Sequence, residues 1–400
     1  MRGAKQRIGI IIEPTLKISF SYPLEWVKTK GRGILYSDMT VQRILDKLPE
    51  VYRNFLPRFF QNNIPEETAA TCADCAMWGG PEPGFPNGIH FSRDSKCCTH
   101  YPNLPNYLIG GILSNTTPEL EAGRYRIRKT IKSRIGVTPH GILRPKKYSL
   151  LLKNSEKEFF GRSKSLICPF YERQEGKCTI RPFWDATCNT WFCKYSAGED
   201  GWLFWTTLKK YLNHMEKTLV QYTLYRIGWD PQKTILPESS NSTLTIQEVD
   251  DQPPDQKIYR DLWRDWVGSE EELYKKTFHI VSALTPRAFE KIAGISQKIL
   301  LEEVKMKQKN FLKPHLPKIL KRNPNLHVEK KGNESYSLVS YSPLDPLEVS
   351  KRIYDLLDFF DGKRTNQQVC RLIRKHIGAM PDQDLLISLY QFRVLVNNEG

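Results

Sequence analysis

Apolar residues recur at helical spacing through much of this chain. Between Trp202 and Tyr225 a stripe of Leu208, Leu212, Met215, Leu219 and Tyr222 alternates with Lys, Asn, Glu and Thr, which predicts a long amphipathic helix. The segment EEELYKKTFHIVSAL, from Glu270, predicts another. A third follows in TPRAFEKIAGISQKILLEEVKMKQKNFL, where Thr285 offers a cap and Pro286 stands just inside the start. Nearer the beginning, Val41, Ile44, Leu45 and Leu48 predict a helix that is capped at Ser37, Asp38 or Thr40, ends at Pro49 and covers the segment that follows. Residues 1–38 give no firm element.

The pattern changes in the tail. SYSLVSYS reads as a strand, and Leu347, Ile353, Leu356, Leu357 and Phe360 as a helix. Asp361–Thr365 (DGKRT) reads as a turn that restarts a helix at Asn366, and a last helix runs through Leu385, Leu386, Leu389 and Phe392. The division predicted is a cysteine-rich domain over 39–235 with a basic insertion at 119–165, a polar linker over 236–258, a helical segment over 259–335, and a small separate domain over 336–400. Residues 78–88, with four Gly and three Pro, must be loop. The fold class expected is mainly α within an α+β whole, with irregular loops that metal coordination would organise. No internal repeat is evident.

Four hundred residues at 40% hydrophobic content can build two or three cored domains. The formal charge of +16 points to an anionic partner or to a generally basic surface. Its densest runs are Arg124, Arg126, Arg128, Lys129, Lys132 and Arg134, and the lysines from Lys305 to Lys321 with Arg322. Neither carries the aromatic interleaving of a strand-binding platform, so nucleic acid is not the favoured partner. No stretch approaches the roughly 18–20 apolar residues of a membrane span, so no membrane partner is expected. The first residues lack the apolar core of a signal peptide, and the expected location is cytoplasmic.

Eight of the nine cysteines fall in two groups: Cys72 and Cys75 with the pair Cys97-Cys98, then Cys168, Cys178, Cys188 and Cys193 within 26 residues. In a reducing compartment clustered thiols bind metal more often than they form disulfides. Intervals of ten, ten and five residues in the second group exceed the short gaps of zinc fingers. Adjacent Cys97 and Cys98 are expected to diverge in regular backbone, so either the pair spans different atoms of a polynuclear cluster or one member serves elsewhere. Eight thiolates exceed the four of one zinc or one cubane cluster, leaving two centres or one larger cluster open. The cofactor expected is an iron-sulfur cluster, 4Fe-4S favoured, or zinc. Arg93, Lys96, Arg162, Lys164, Arg173, Lys177, Arg181 and Lys194 could offset thiolate charge or be solvated surface. His90 and His100 could serve as ligands or as ordinary loop residues. Asp74 and Asp185 read as loop caps, and Trp78, Trp184, Trp191 and Phe192 as a water shield or plain core. Cys370 reads as a buried small hydrophobe.

Cys168-Pro169-Phe170, Gly176-Lys177-Cys178-Thr179-Ile180, then Cys188 and Cys193, resemble the YkgJ-type cysteine-cluster family, described as zinc- or iron-chelating. The likeness covers about 72–195. It departs from the family pattern in the opened-out first motif, with 21 residues between Cys75 and Cys97, and in Trp184-Asp185 standing where that pattern has Arg-Pro. A distant resemblance to flagellin lysine methylases, which carry a similar cysteine pattern, would imply a cluster-dependent methyl-transfer enzyme using S-adenosylmethionine. The tail resembles the small winged-helix PqqD domain through Leu357, Asp361, Gly362, Lys363, Arg364 and Thr365. That resemblance implies a protein or peptide bound by strand addition at 336–400.

Three functions are thereby expected in turn: a metal-binding protein with a partner-recognition tail, a cluster-dependent protein-modifying enzyme, and a metal- or redox-sensing regulator that binds nucleic acid. No catalytic triad, carboxylate pair or phosphate loop is visible, so no catalytic residue is assigned.

Overall fold

The computed structural model describes residues 40–73, 75–78, 90–229, 244–378 and 380–397, with the side chains of 155–159 set aside. Helix dominates and the sheets are small, giving a mixed α+β architecture. The helices are α1 (Asn106–Ser114), α2 (Glu121–Ser133), α3 (Lys146–Phe159), α4 (Ala186–Thr190), α5 (Gly198–Arg226), α6 (Ile246–Val249), α7 (Gln256–Trp263), α8 (Glu270–Ser282), α9 (Pro286–Leu312), α10 (Lys351–Leu356), α11 (Asn366–Ile377) and α12 (Gln383–Gln391).

The predicted stripe on α5 is buried from Leu208 through Leu219, while Tyr222 stays partly open. Thr285 caps α9 by accepting from the amide of Ala288, with Pro286 inside the first turn. At Gly294 (φ 67°) the backbone leaves helical geometry and α9 kinks, a conformation that glycine alone adopts at little cost. The helix expected from Val41 to Leu48 does not form. Its place is taken by the strand β1 (Val41–Arg43) and short 3-10 turns at Ile44–Lys47, Glu50–Asn54 and Arg58–Gln61. Pro49 and Pro57 each precede one of these turns, and neither can donate the amide a continuous helix requires. The proposed caps Ser37 and Asp38 lie outside the described residues, as do most of the 78–88 loop and residues 1–39.

β1 pairs antiparallel with β2 (Asn63–Pro65). β3 (Leu104–Pro105), β4 (Val137–Thr138) and β5 (Gly141–Ile142) form a second small sheet, and β6 (Tyr171–Glu172) and β7 (Lys177–Cys178) a hairpin. One continuous core runs from Ile44 to Phe311 and takes in Trp205, Trp263 and Tyr274. Each large side chain so buried contributes roughly 1.5–3 kcal/mol. Within it α1 lies against α8 so closely that a Cβ on Gly110 would stand 1.9 Å from the carbonyl oxygen of Tyr274. Residues 259–312 thus belong to the same core as the cysteine-rich region.

The tail has its own core, from Leu320 to Leu395. Its sheets are β9 (His327–Lys331), β10 (Ser335–Val339) and β11 (Leu347–Ser350), in the order 11-10-9, and β8 (Ile319–Arg322), β12 (Asp361–Thr365) and β13 (Leu395–Asn397), in the order 12-8-13. The second core therefore begins upstream of residue 336. Leu347 lies on β11 and the helical run from Lys351 is short. Asp361–Thr365, read as a turn, is a bulged strand on β8, because its partner lies 40 residues away in sequence and leaves no local signal. Thr365 and Gln368 close a capping box at the start of α11, where the sequence placed a helix restart.

The two units meet along one segment after Cys193. Lys194 Nζ donates to the Leu344 carbonyl at 2.7 Å and the Tyr195 amide to Asp345 at 3.0 Å. Arg393 pairs with Glu199 and, at 3.3 Å, with Asp200.

Candidate metal centre

Local structure brings the eight cysteines together from 122 positions of chain. Cys72 and Cys75 occupy irregular backbone held by Lys96, whose Nζ donates to the Cys72 carbonyl at 2.5 Å and to the Gly176 carbonyl at 2.9 Å. Turns over 93–99 carry Cys97 and Cys98, with Lys96 itself at φ 47°. The Cys168 amide donates to the Cys98 carbonyl at 2.8 Å, joining the two cysteine groups through backbone. Cys178 sits on β7 opposite Tyr171. Asp185 caps α4 by accepting from the Cys188 amide at 2.9 Å, which makes it the cap expected. Cys193 follows α4 and precedes α5.

All eight cysteines line one cavity of about 640 Å³. None of the nine thiols is paired in a disulfide. Cys75, Cys168 and Cys193 are buried, Cys97, Cys98, Cys178 and Cys188 partly so, and Cys72 exposed. Among the described residues no three Cys, His, Asp or Glu side chains close on a single-ion position. Cys370 is buried in the tail core, away from the cavity.

Burial pushes the thiols of Cys72, Cys75, Cys168, Cys178, Cys188 and Cys193 upward, and the nearby Asp185 carboxylate adds to the effect at Cys188. At Cys97 the hydrogen bond with Cys98 is the larger cause and burial the second. The thiols of the adjacent pair therefore meet instead of diverging, because they lie on turns and not in regular backbone. Thiols held up by burial favour the protonated form, so a metal entering here would displace protons.

Hydrogen-bond donors surround the thiols. Trp184 Nε1 donates to Cys178 Sγ at 3.2 Å. Trp191, Phe192, Lys177 and Arg181 line the cavity with it, and Arg181 lies over the Trp184 ring at 5.6 Å. Of the other cations read as counter-charges, Arg93 stacks on Trp78 at 4.6 Å, Arg162 donates to the His90 carbonyl, and Lys194 reaches the tail. His100 lines the cavity, but burial and Arg144 depress its pKa to about 4, so its ring is neutral near pH 7 and accepts from Arg144 at 3.3 Å. His90 is exposed. Asp74 lies outside the described residues.

Two cavity residues escaped the sequence reading. Tyr171 is 3% exposed, and among the described residues its hydroxyl has no hydrogen-bond partner. Burial, then Cys98, Cys97, Cys72 and Cys75, raise its pKa to about 12, so the phenol stays protonated and free to donate toward sulfur. Its position three residues after Cys168 was the available signal. Glu67 accepts from the Ser196 amide and hydroxyl and from Trp205 Nε1 at 2.8 Å, anchoring the chain just after Cys193. Eight soft donors, an orphaned buried hydroxyl and an indole N–H aimed at sulfur form a donor set that fits zinc or iron bound through thiolate.

No protein-family model, curated protein or solved structure matches this chain.

Proposed function

We propose that this chain is a metal-binding protein whose cysteine cavity holds an iron-sulfur cluster or zinc, and whose tail recognises a protein or peptide partner. The carrying observation is the convergence of eight cysteines, distant in sequence, on one cavity. Cavity size, thiols set around its wall and the N–H donor on Cys178 favour an iron-sulfur cluster, which needs more room and more hydrogen bonding to sulfur than one zinc ion. Such a cluster supplies one-electron exchange, whereas zinc supplies a redox-inert Lewis acid. The chain's own residues hold the sulfurs, donate to Cys178 through Trp184, present the Tyr171 hydroxyl beside them, and shield them behind Trp191 and Phe192. A cytoplasmic setting, in which thiols stay reduced, suits nine unpaired cysteines. Among the described residues no helix is long and apolar enough to cross a membrane.

The YkgJ-like spacing of Cys168, Cys178, Cys188 and Cys193 agrees with this reading. In the tail, the three-stranded sheet 12-8-13 packed with α10, α11 and α12 suits a winged-helix-like, PqqD-like module, and its small sheets offer edges for an added strand. Nucleic acid is a weaker reading. Arg126 is engaged with Glu172, Arg128 with Glu271 and Arg134 with the ring of Tyr259, so the densest basic run is largely spent on internal contacts.

Anaerobic purification followed by ultraviolet-visible spectroscopy and iron, zinc and acid-labile sulfide analysis tests the proposal. Charge-transfer absorption with matching iron and sulfide, or stoichiometric zinc, is expected. Protein free of all three overturns it.

A further inference from the structure

The cavity wall is divided. Cys75 and Cys193 pack with Met77 and Phe91 in a small apolar cluster, and Cys97 lies against it. Cys168 belongs instead to the main core, with Cys98 and Cys178 at its edge. The adjacent cysteines thus serve different walls, and the Cys168 amide bonded to the Cys98 carbonyl fixes Cys98 on the second.

We propose that the cavity holds two adjoining metal centres, one on Cys72, Cys75, Cys97 and Cys193, the other on Cys98, Cys168, Cys178 and Cys188. This rests on the metal-binding reading above and adds the number of centres and the ligands of each.

Cys72 and Cys188, the two members outside those packing clusters, are assigned by their neighbours. Cys72 interacts with Cys97, and Cys188 with Cys168 and Cys178. Each set then has four thiolates, the number that one tetrahedral zinc or one cubane cluster takes, and since among the described residues no three close on a single-ion position, binding would draw each set together. The sets touch at the Cys97-Cys98 seam, where the two thiols meet, and again where Cys178 approaches Cys72 and Cys97. Two four-thiolate centres side by side each carry a formal negative charge and repel, so a cation at the seam is needed. Lys96 stands there, its ammonium bridging the Cys72 carbonyl of the first set and the Gly176 carbonyl of the hairpin that carries Cys178. Arg181 is the second cation close to Cys72. The centres differ in access: the first includes exposed Cys72, while the second includes Cys178 under the Trp184 indole.

Cobalt(II) serves as a spectroscopic probe on the full-length reduced protein. Thiolate-to-cobalt absorption that rises to two equivalents per chain is expected, and saturation at one equivalent overturns the inference. Variants then assign the ligands. Cys75→Ser with Cys193→Ser, and separately Cys168→Ser with Cys188→Ser, should each retain about half of the wild-type metal, measured on protein whose circular dichroism matches wild type. If either pair removes essentially all metal, or neither removes any, the division is wrong. Metal bound in a single complement leaves the metal-binding reading standing and sinks only this one, whereas a protein that binds no cobalt, zinc or iron sinks both.

Discussion

Trp184 and Tyr171 differ in what their polar tips do now. The indole already donates to Cys178, whereas the phenol waits without a partner. Trp184→Phe keeps the aromatic shield and deletes one donor. Outer hydrogen bonds of this kind are worth about 10- to 100-fold in metal affinity. The expected outcome is tighter competition by chelator at an unchanged fold, read by metal retention against a zinc-buffered series. Glu216 supplies a different prediction. It is 6% exposed, accepts from Tyr52 at 3.2 Å beside Tyr107, and also accepts the Ala186 amide at the start of α4. Burial, and secondarily Asp185, hold its pKa well above the usual carboxylate range. The unfolded chain ionises this group near pH 4.3 and the folded one does not, so its contribution is full below that pH and lost as pH rises toward the folded value. The slope is about 1.4 kcal/mol per pH unit in that window. Glu216→Gln should flatten the decline in urea-unfolding stability that sets in as pH rises above the unfolded value. A slope identical to wild type would refute the assignment.

Among elements, α1 against α8 is the contact least open to change. Gly110→Ala would push a methyl group into the Tyr274 carbonyl, and neither helix backbone can yield cheaply. A loss of about 1–3 kcal/mol is expected from chemical denaturation, the range typical of overpacking. Thr365→Ala removes one half of a capping box on α11 and should cost about 1 kcal/mol, seen as a lower unfolding midpoint. Helices α8 and α11 were legible because their stripes and caps are local, whereas α1 carries no amphipathic stripe and was not read from the sequence. The 3-10 turns over 44–61 were not, since the same apolar spacing serves a helix or a chain of prolines-and-turns, and burial of Ile44, Tyr52 and Phe60 under α5, α8 and α9 decides between them. Strand β12 was hidden for the reason already seen: its pairing is remote.

At the scale of the molecule, the segment from Cys193 to Asp200 is shared between the cavity and the tail. Leu344 of the tail packs on the cluster containing Cys75 and Cys193, and Arg393 clamps Glu199 and Asp200. Arg393→Ala should weaken docking by about 1–2 kcal/mol, because the charged hydrogen bonds are only partly screened. Hydrogen exchange should rise over 341–346 and 390–394 while α1 and α5 keep their protection. Unchanged exchange at both sites would show that the Lys194 and Tyr195 hydrogen bonds and the apolar contacts hold the tail without Arg393.

Spacing and residue type determined, from sequence alone, the long helices, the Thr285 cap, a tail unit and the eight cysteines as two groups, because helix periodicity, capping and thiol chemistry are properties of short segments. Tertiary structure decided the rest: that these cysteines line one cavity, that Cys97 and Cys98 pack against different apolar clusters, that Lys96 joins the Cys72 and Gly176 carbonyls, and that among the described residues the Tyr171 hydroxyl at the cavity has no partner. Each of those depends on which distant segment packs beside the thiols, and no local pattern records that.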